Sequence, residues 1–245
     1  MERMKLAIQN LDEGSHQFAN AFAFSKDVAY AVLEVLAPPP SAALLLEIDL
    51  RGGGVATREL LELPCFSLNY HAESPSLHYV IDNESAVHRV ADGKVTVHKA
   101  DTKSELSGIA RVSATAIATL GEDGGIFVLE GDTFRKIETG TDERILAAHF
   151  VRPDLAYAVG HFGTFLVGGV QGFQPVEIAD DTFAVDGDVS SRYPIVAVHA
   201  KEDGAVLLGT QEGPAFVYEG GEVTRLEGLD EQHVRIARAA AGQDF

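Results

Sequence analysis

The chain has 245 residues, and its 37 acidic and 19 basic side chains give a formal net charge of −18. Such a charge argues against DNA, RNA or an anionic membrane as the ligand, because phosphate binding needs clusters of Lys and Arg. No stretch approaches roughly 18 uncharged apolar residues, and residues 1–10 lack an apolar core, so neither a membrane span nor a secretion signal is predicted. We therefore expect a cytoplasmic protein of bacterial origin.

Taken in chain order, the sequence repeats one pattern five times: an apolar strand, a polar corner, a second apolar strand, a turn and a third strand. A further apolar run precedes each corner strand, so each repeat is predicted to contain four strands. Repeats of about forty residues made of short strands are typical of the blades of a β-propeller. The successive corners lie 48, 39, 39 and 49 residues apart, at Glu34, Asp82, Gly121, Gly160 and Gly209.

The outer part of each later repeat begins with a tight turn. Glycine supplies the positive φ that such hairpin turns require. The alternating segments after these turns, such as residues 133–137 and 222–226, are predicted to be the outer edge strands of the blades. The turns are expected at Asp92-Gly93, Gly131-Asp132, Gly172 and Gly220-Gly221.

The two chain ends leave the number of blades open. Residues 4–11 and 234–240 each offer one more strand, which would close the ring by pairing and so remove exposed strand edges. As an alternative, residues 230–241 form a C-terminal helix capped by Asp230. We predict one all-β domain over residues 1–245, a β-propeller of five to six four-stranded blades whose ring is closed by terminal strands.

The corners and the links between blades share one face of a propeller, and this face is predicted to carry the function. It collects many carboxylates and the longest insertions, at residues 38–40 and 179–193, and loops that grow on a rigid scaffold commonly bind partners. The alternative is that scattered carboxylates only keep the protein soluble. The candidate partner-binding residues are Glu84, Glu122, Asp123, His161, Phe162, Asp181, Asp186, Asp188 and Glu212.

Three histidines recur at similar places before their corners: His71, His149 and His199. If they line the central channel, three neutral imidazoles would suit zinc or another divalent ion. The alternative is that each histidine is a hydrogen-bonded structural element.

The loop around Asp186 and Asp188 offers oxygen ligands but lacks the glutamate of a calcium loop. No catalytic constellation is present, no cofactor is predicted, and the single cysteine, Cys65, is expected to be buried and inert.

The corner at residues 157–164, Tyr-Ala-Val-Gly-His-Phe-Gly-Thr, resembles the blade signature of sialidase-type (BNR-like) propellers, including the assembly-factor propellers of photosystem II. A looser similarity covers roughly residues 18–227. The Asp-box of that superfamily is approached at residues 121–127 but is incomplete, and the arginine triad of true sialidases has no matching positions. The resemblance therefore implies the fold and a tendency to bind proteins, without implying hydrolysis.

These observations favour a non-catalytic propeller whose acidic, long-looped face binds a basic protein, as an inhibitor or immunity-like protein or as a scaffold or assembly factor. Two alternatives stay open. One is a glycan-processing or metal-dependent enzyme with its site at the central channel. The other is a small-molecule or carbohydrate sensor in which Phe162 and His161 contact the ligand. The oligomeric state and the identity of the partner are left open by the sequence.

Overall fold

A computed structural model of the protein describes residues 16–23, 25, 27–35, 42–49, 51, 56–63, 67–102, 104–176, 178–179, 182–185, 188–202, 204–211 and 213–226. The predictions for residues 38–40, Cys65, Asp181, Asp186, Glu212 and both chain ends concern residues outside this set. The described residues contain no helix long and apolar enough to cross a membrane. The chain forms two compact units, one with the described residues up to Val97 and one with those from His98 onward.

The first unit is built from two four-stranded antiparallel sheets, each a simple up-and-down meander. The last strand of the second sheet runs two residues into the second unit. Blade 1 has the order β1-β2-β3-β4 and blade 2 the order β5-β6-β7-β8. Their strands are β1 (His16–Ala23), β2 (Val28–Val35), β3 (Ala42–Asp49), β4 (Ala56–Leu63), β5 (Ser67–Ser74), β6 (Leu77–Asp82), β7 (Ala86–Ala91) and β8 (Lys94–Lys99).

The second unit holds three more such sheets. Blade 3 comprises β9 (Leu106–Ser113), β10 (Ala116–Gly121), β11 (Ile126–Glu130) and β12 (Thr133–Ile137). Blade 4 comprises β13 (Ile145–Arg152), β14 (Leu155–Gly160), β15 (Phe165–Gly169) and β16 (Gly172–Pro175). A two-stranded hairpin, β17 (Ala184–Val185) and β18 (Asp188–Arg192), precedes blade 5, which comprises β19 (Ile195–Ala200), β20 (Val206–Thr210), β21 (Ala215–Glu219) and β22 (Glu222–Arg225).

Middle strands are buried where neighbouring sheets of the same unit pack against them. All six residues of β10 are buried, and so are the last five residues of β14. One core cluster joins blades 3 and 4 around Leu120, Phe150 and Phe173, and another joins blades 4 and 5 around Phe183 and Phe216. A third, inside the first unit, joins blades 1 and 2. This double burial explains why the second and third strands of each repeat are nearly continuous apolar runs.

The first two strands of four blades pair in one shared register. The facing pairs are Ser67 with Asp82, Leu106 with Gly121, Ile145 with Gly160 and Ile195 with Thr210, always 15 residues apart. A bulge lies next to this pair in every one of the four sheets. Positions can therefore be compared from blade to blade by counting from these residues.

The structure confirms four strands in each of the five repeats, and it corrects two of the predicted corners. The fifth corner begins at Thr210, because Gly209 pairs with Ala197 inside β20. Glu34 lies within β2, where it pairs with Ala43, so the first corner comes later in the chain. The closure of the ring, and the choice between strand and helix for residues 230–241, concern residues outside the described set and stay predictions.

Candidate functional site

The loop between the second and third strands of a blade, its corner, is tied to the link by which the chain enters that blade. The amide of Glu122 donates to the carbonyl of Glu105 at 3.0 Å, that of His161 to Arg144 at 3.0 Å, and that of Gln211 to Pro194 at 2.9 Å. Donor and acceptor are 17 residues apart in all three blades. Backbone atoms make this bond, so it needs no side-chain atom of the corner.

The residue two positions beyond the shared register point projects from the corner, and we call it the corner tip. In blades 2, 3 and 4 the corner tips are Glu84, Asp123 and Phe162. The residue after each tip is left-handed, with φ of 61° at Ser85, 74° at Gly124 and 70° at Gly163. All three tips are exposed. By sequence the tip of blade 5 is Glu212, which lies outside the described residues.

Phe162 is therefore an exception among acidic tips. Its side chain is 60% exposed, against 51% for Val97 and 37% for Val95, the other exposed large apolar side chains that the structure describes. Its own backbone is left-handed, with φ 50° and ψ 35°, in the 3₁₀ turn His161–Gly163. That conformation is rare for a bulky residue, and strained backbone of this kind concentrates at functional positions.

The corner that displays Phe162 is firmly seated. A Cβ atom on Gly160 would collide with the carbonyl oxygen of Arg144, so only glycine allows this approach. A Cβ on Gly163 would lie 3.1 Å from Phe183, whose ring packs edge-on against Phe216 of blade 5 at 4.9 Å. The corner thus rests on the core between blades 4 and 5.

An ion pair joins the corner of blade 3 to the entry link of blade 4. The Nη2 of Arg144 lies 2.9 Å from Oε1 of Glu122, and the two side chains are 37% and 38% exposed. Such a half-exposed pair contributes little to stability, on the order of 1 kcal/mol or less. Its position matters more, since Arg144 also accepts the bond from His161 through its carbonyl. Glu122, Arg144 and Phe162 are therefore parts of one connected ridge.

Some of the predicted acidic residues shape their corners. The Ser104 hydroxyl, with the N–H of Gly125, holds the pKa of the Asp123 carboxyl below its usual value, so Asp123 is ionised at neutral pH. In blade 2, Asp82 is buried, and its Oδ1 accepts the amides of Glu84 and Ala86 at 2.8 and 2.9 Å. Sequence alone did not separate Asp82, which organises the turn, from Glu84, which projects from it.

Carboxylates are also present at the opposite ends of the strands. The hairpin turns there include an Arg152–Asp154 ion pair of 2.8 Å, which partly offsets this charge. Excess negative charge is therefore not restricted to the corners among the described residues. The acidic residues at those opposite ends in the second unit include Glu130, Asp132, Asp154, Glu202, Glu219 and Glu222.

A small polar cavity of about 250 Å³ lies at the corner of blade 3. Thr139 closes it, donating its hydroxyl to the carbonyls of Gly124 at 2.8 Å and Thr141 at 3.2 Å. Carboxylates of Asp123 and Asp142 stand at its wall. Its volume is enough for several water molecules or one side chain.

The three predicted channel histidines do occupy equivalent positions. His71 faces Tyr79, His149 faces Tyr157 and His199 faces Leu207, each four residues after the start of its blade's register. The rings of His149 and His199 stack at 4.7 Å and 16°, and Nδ1 of His149 accepts the amide of Ala200 at 2.6 Å.

His71, in the first unit, has its Nε2 3.4 Å from a carboxylate oxygen of Glu73. No group of three His, Cys, Asp or Glu side chains in the described part of the chain is arranged to hold a metal ion. The bond to Nδ1 fits the structural interpretation of His149, since it uses a ring lone pair that a metal would need. The metal site stays a prediction.

The remaining predicted residues fall partly outside the described part of the chain. Asp181, Asp186 and Glu212 lie outside the described residues, and Asp188 begins β18 with a side chain that is likewise outside the description. Exposed Glu84 and half-buried His161 lie on their corners as predicted. The contrast between Phe162 and the acidic tips went unnoticed at the sequence level, although aligning the corners by register would have exposed it.

Comparison with known proteins shows similarity in fold only. No family model matches the chain, and no curated protein matches it. The solved structure "YCF48 bound to D1 peptide" is 10% identical, with a TM-score of 0.58 over 88% of this chain and 68% of that chain. YCF48 from Cyanidioschyzon merolae is 16% identical, with a TM-score of 0.65 over 93% and 74%. The fold is therefore a β-propeller, and the resemblance drawn from residues 157–164 is confirmed at the level of architecture.

Proposed function

We propose that this chain is a non-catalytic, protein-binding β-propeller that docks a basic protein partner with the corners and links of its blades. The observation that carries the proposal is the pair of exposed corner tips in the second unit, Asp123 and Phe162, each projecting from a corner held by a backbone bond to its entry link. Exposed side chains on rigid loops of a repeat scaffold are well suited to recognition.

Preorganisation supports this role. The corners of blades 3 and 4 are braced by amide bonds to Glu105 and Arg144, and the corner of blade 4 also rests on Phe183. A partner that meets such corners need not order them first, so less of the interaction free energy is spent on lost conformational entropy.

Charge complementarity points to a basic partner. The net charge of −18 is large, Asp123 is ionised at neutral pH, and the link before Arg144 adds exposed Asp142 and Glu143. Like-charged proteins are repelled by such a surface, whereas basic ones are attracted and oriented during encounter. Both an inhibitor of a basic toxin or enzyme and a scaffold for a basic client use this kind of attraction.

The solved propeller YCF48 bound to a D1 peptide gives a precedent for a polypeptide ligand on this fold. It supports the general role, protein binding, and leaves the chemistry of the partner to be argued from this chain's own residues.

The test is a pair of charge reversals at opposite ends of the strands. Asp142→Lys with Glu143→Lys changes two exposed carboxylates at the corner end, and neither side chain braces a corner. The matched control is Glu219→Lys with Glu222→Lys, a facing exposed pair in the outer hairpin of blade 5. Both variants have the same net charge.

Proteins captured from the native cells by the wild type are identified by mass spectrometry, purified and assayed for binding kinetics. The corner-end variant should lower the association rate about tenfold at low ionic strength, with a smaller loss in high salt, and the control should change it much less. Equal rates for wild type and the corner-end variant, or a control that is just as slow, would contradict the proposal.

A further inference from the structure

We infer that Phe162 is the apolar anchor of this interface, and that the partner is a folded protein that receives the ring in an apolar pocket bordered by basic residues. The inference rests on the proposed function and adds to it the kind of partner and the residue that selects it.

The position of Phe162 is one that the fold fills with a polar residue elsewhere. The equivalent tips are Glu84 and Asp123, and by sequence Glu212. A left-handed φ of 50° favours Asn, Asp or Gly over a bulky aromatic side chain. Neither the repeat nor the local backbone therefore explains a phenylalanine.

Packing does not explain it either. The ring is 60% exposed, and it meets the ring of His161 edge-on at 6.3 Å. The core beneath the corner is completed by Phe183 and Phe216 without it. A large apolar side chain held in water by a rigid corner is typical of an interface anchor.

The surroundings of Phe162 resemble the border of a protein interface. The neighbouring ridge carries the Glu122–Arg144 ion pair, and exposed Asp142 and Glu143 lie on the same link. An aromatic centre surrounded by charged groups is the usual anatomy of a binding hot spot. Glu122 neutralises Arg144, and the two carboxylates of Asp142 and Glu143 outnumber Arg192, whose Cδ would lie 3.4 Å from a Cβ on Gly163, so the net charge nearby is negative and favours a basic border on the partner.

The shape of the corner identifies the kind of partner. Phe162 projects from a turn, so it can be desolvated only by a concave surface on the other molecule. A short extended peptide lying on the corner offers no such pocket, whereas a folded protein does. The ring is therefore inserted into the partner, and the partner does not insert into this corner.

The test compares Phe162→Asn with Val97→Asn. Asparagine accepts the left-handed backbone, and Val97 is a similarly exposed apolar residue away from the corners. The probe is the purified protein that the wild type captures from its native cell extract. Phe162→Asn should weaken binding by about 30-fold or more with an unchanged salt dependence, while Val97→Asn stays within about threefold of wild type.

Binding of Phe162→Asn within about threefold of wild type overturns the inference, and the salt-dependent loss in the charge-reversal variant would still uphold the proposed function. Loss of binding in Phe162→Asn together with no effect of charge reversal supports Phe162 as the apolar anchor, but overturns the basic partner of the proposed function and the basic border inferred here. A phage-displayed library of random linear peptides is the second probe. Peptides that bind the wild type and lose binding to Phe162→Asn overturn the requirement for a folded pocket. Thermal unfolding of each variant, with Phe162→Gly as a second substitution, shows that the corner is still folded.

Discussion

Replacing Phe162 by Asn should leave the stability of the fold almost unchanged. Fully burying a phenylalanine contributes about 1.5–3 kcal/mol, and this ring is 60% exposed, so the substitution removes roughly 1 kcal/mol of apolar burial. Against this, asparagine relieves part of the approximately 1–2 kcal/mol that a left-handed conformation costs a bulky residue. The two effects nearly cancel, and we expect a change within about 1 kcal/mol in the unfolding free energy.

Phe173→Ala gives the scale for comparison. Phe173 is 1% exposed and packs edge-on against Phe150 in the core between blades 3 and 4. Its removal should cost about 3–5 kcal/mol. Thermal unfolding followed by circular dichroism separates the cases, since each kcal/mol shifts Tm by about 2–4 °C in a protein of this size. If Phe162→Asn lowers Tm as much as Phe173→Ala, then Phe162 is a structural residue and its assignment as an interface anchor is wrong.

Two further predictions concern the frame around the site. Gly160→Ala should lower the unfolding free energy by about 1–3 kcal/mol, because the new methyl group collides with the carbonyl of Arg144. The weakened bond from the His161 amide to Arg144 should appear as faster hydrogen exchange at that amide. Unchanged exchange would contradict this explanation of Gly160. Burial lowers the pKa of His78, whose Nδ1 accepts the Tyr70 hydroxyl at 2.8 Å. Below the ordinary value of 6.5 the unfolded chain takes up this proton while the buried ring stays neutral, so stability should fall as pH drops. His78→Asn keeps an acceptor for Tyr70 and should flatten the pH dependence of the urea midpoint; the same slope as wild type would refute the assignment to His78.

The blade architecture was predictable from sequence because it depends on local signals that repeat. Alternating apolar strands and turn glycines placed the four strands of every repeat. The spacing of His71, His149 and His199 before their corners was 11, 11 and 10 residues in the sequence alignment. Moving the fifth corner to Thr210 makes the third spacing 11 as well. The misplacement arose because glycine was taken as the corner marker, while the real corner is set by a bulge and the pairing of Ile195 with Thr210.

The site was only partly predictable, because side-chain roles depend on contacts that spacing does not reveal. The sequence motif around Phe162 selected it as a candidate binding residue. Only the strand register shows that it occupies the position held by Asp123 in blade 3. The separate roles of Asp82 and Glu84 follow from the hydrogen bonds that the Asp82 carboxylate accepts from the amides of Glu84 and Ala86. The stacking of His149 on His199 depends on the approach of two blades, which no local pattern encodes.

In blades 3, 4 and 5 the amide bond between the corner and its entry link uses no side-chain atoms of the tip. At Phe162 the frame and the displayed residue are therefore separable: a mutation there alters what the surface presents without removing the bond that holds the corner, whereas the Asp123 side chain also accepts the amide of Gly125. Such an arrangement allows binding specificity to drift rapidly between related chains while the propeller itself is preserved. It also makes the corners convenient sites for building libraries of new binders on this scaffold.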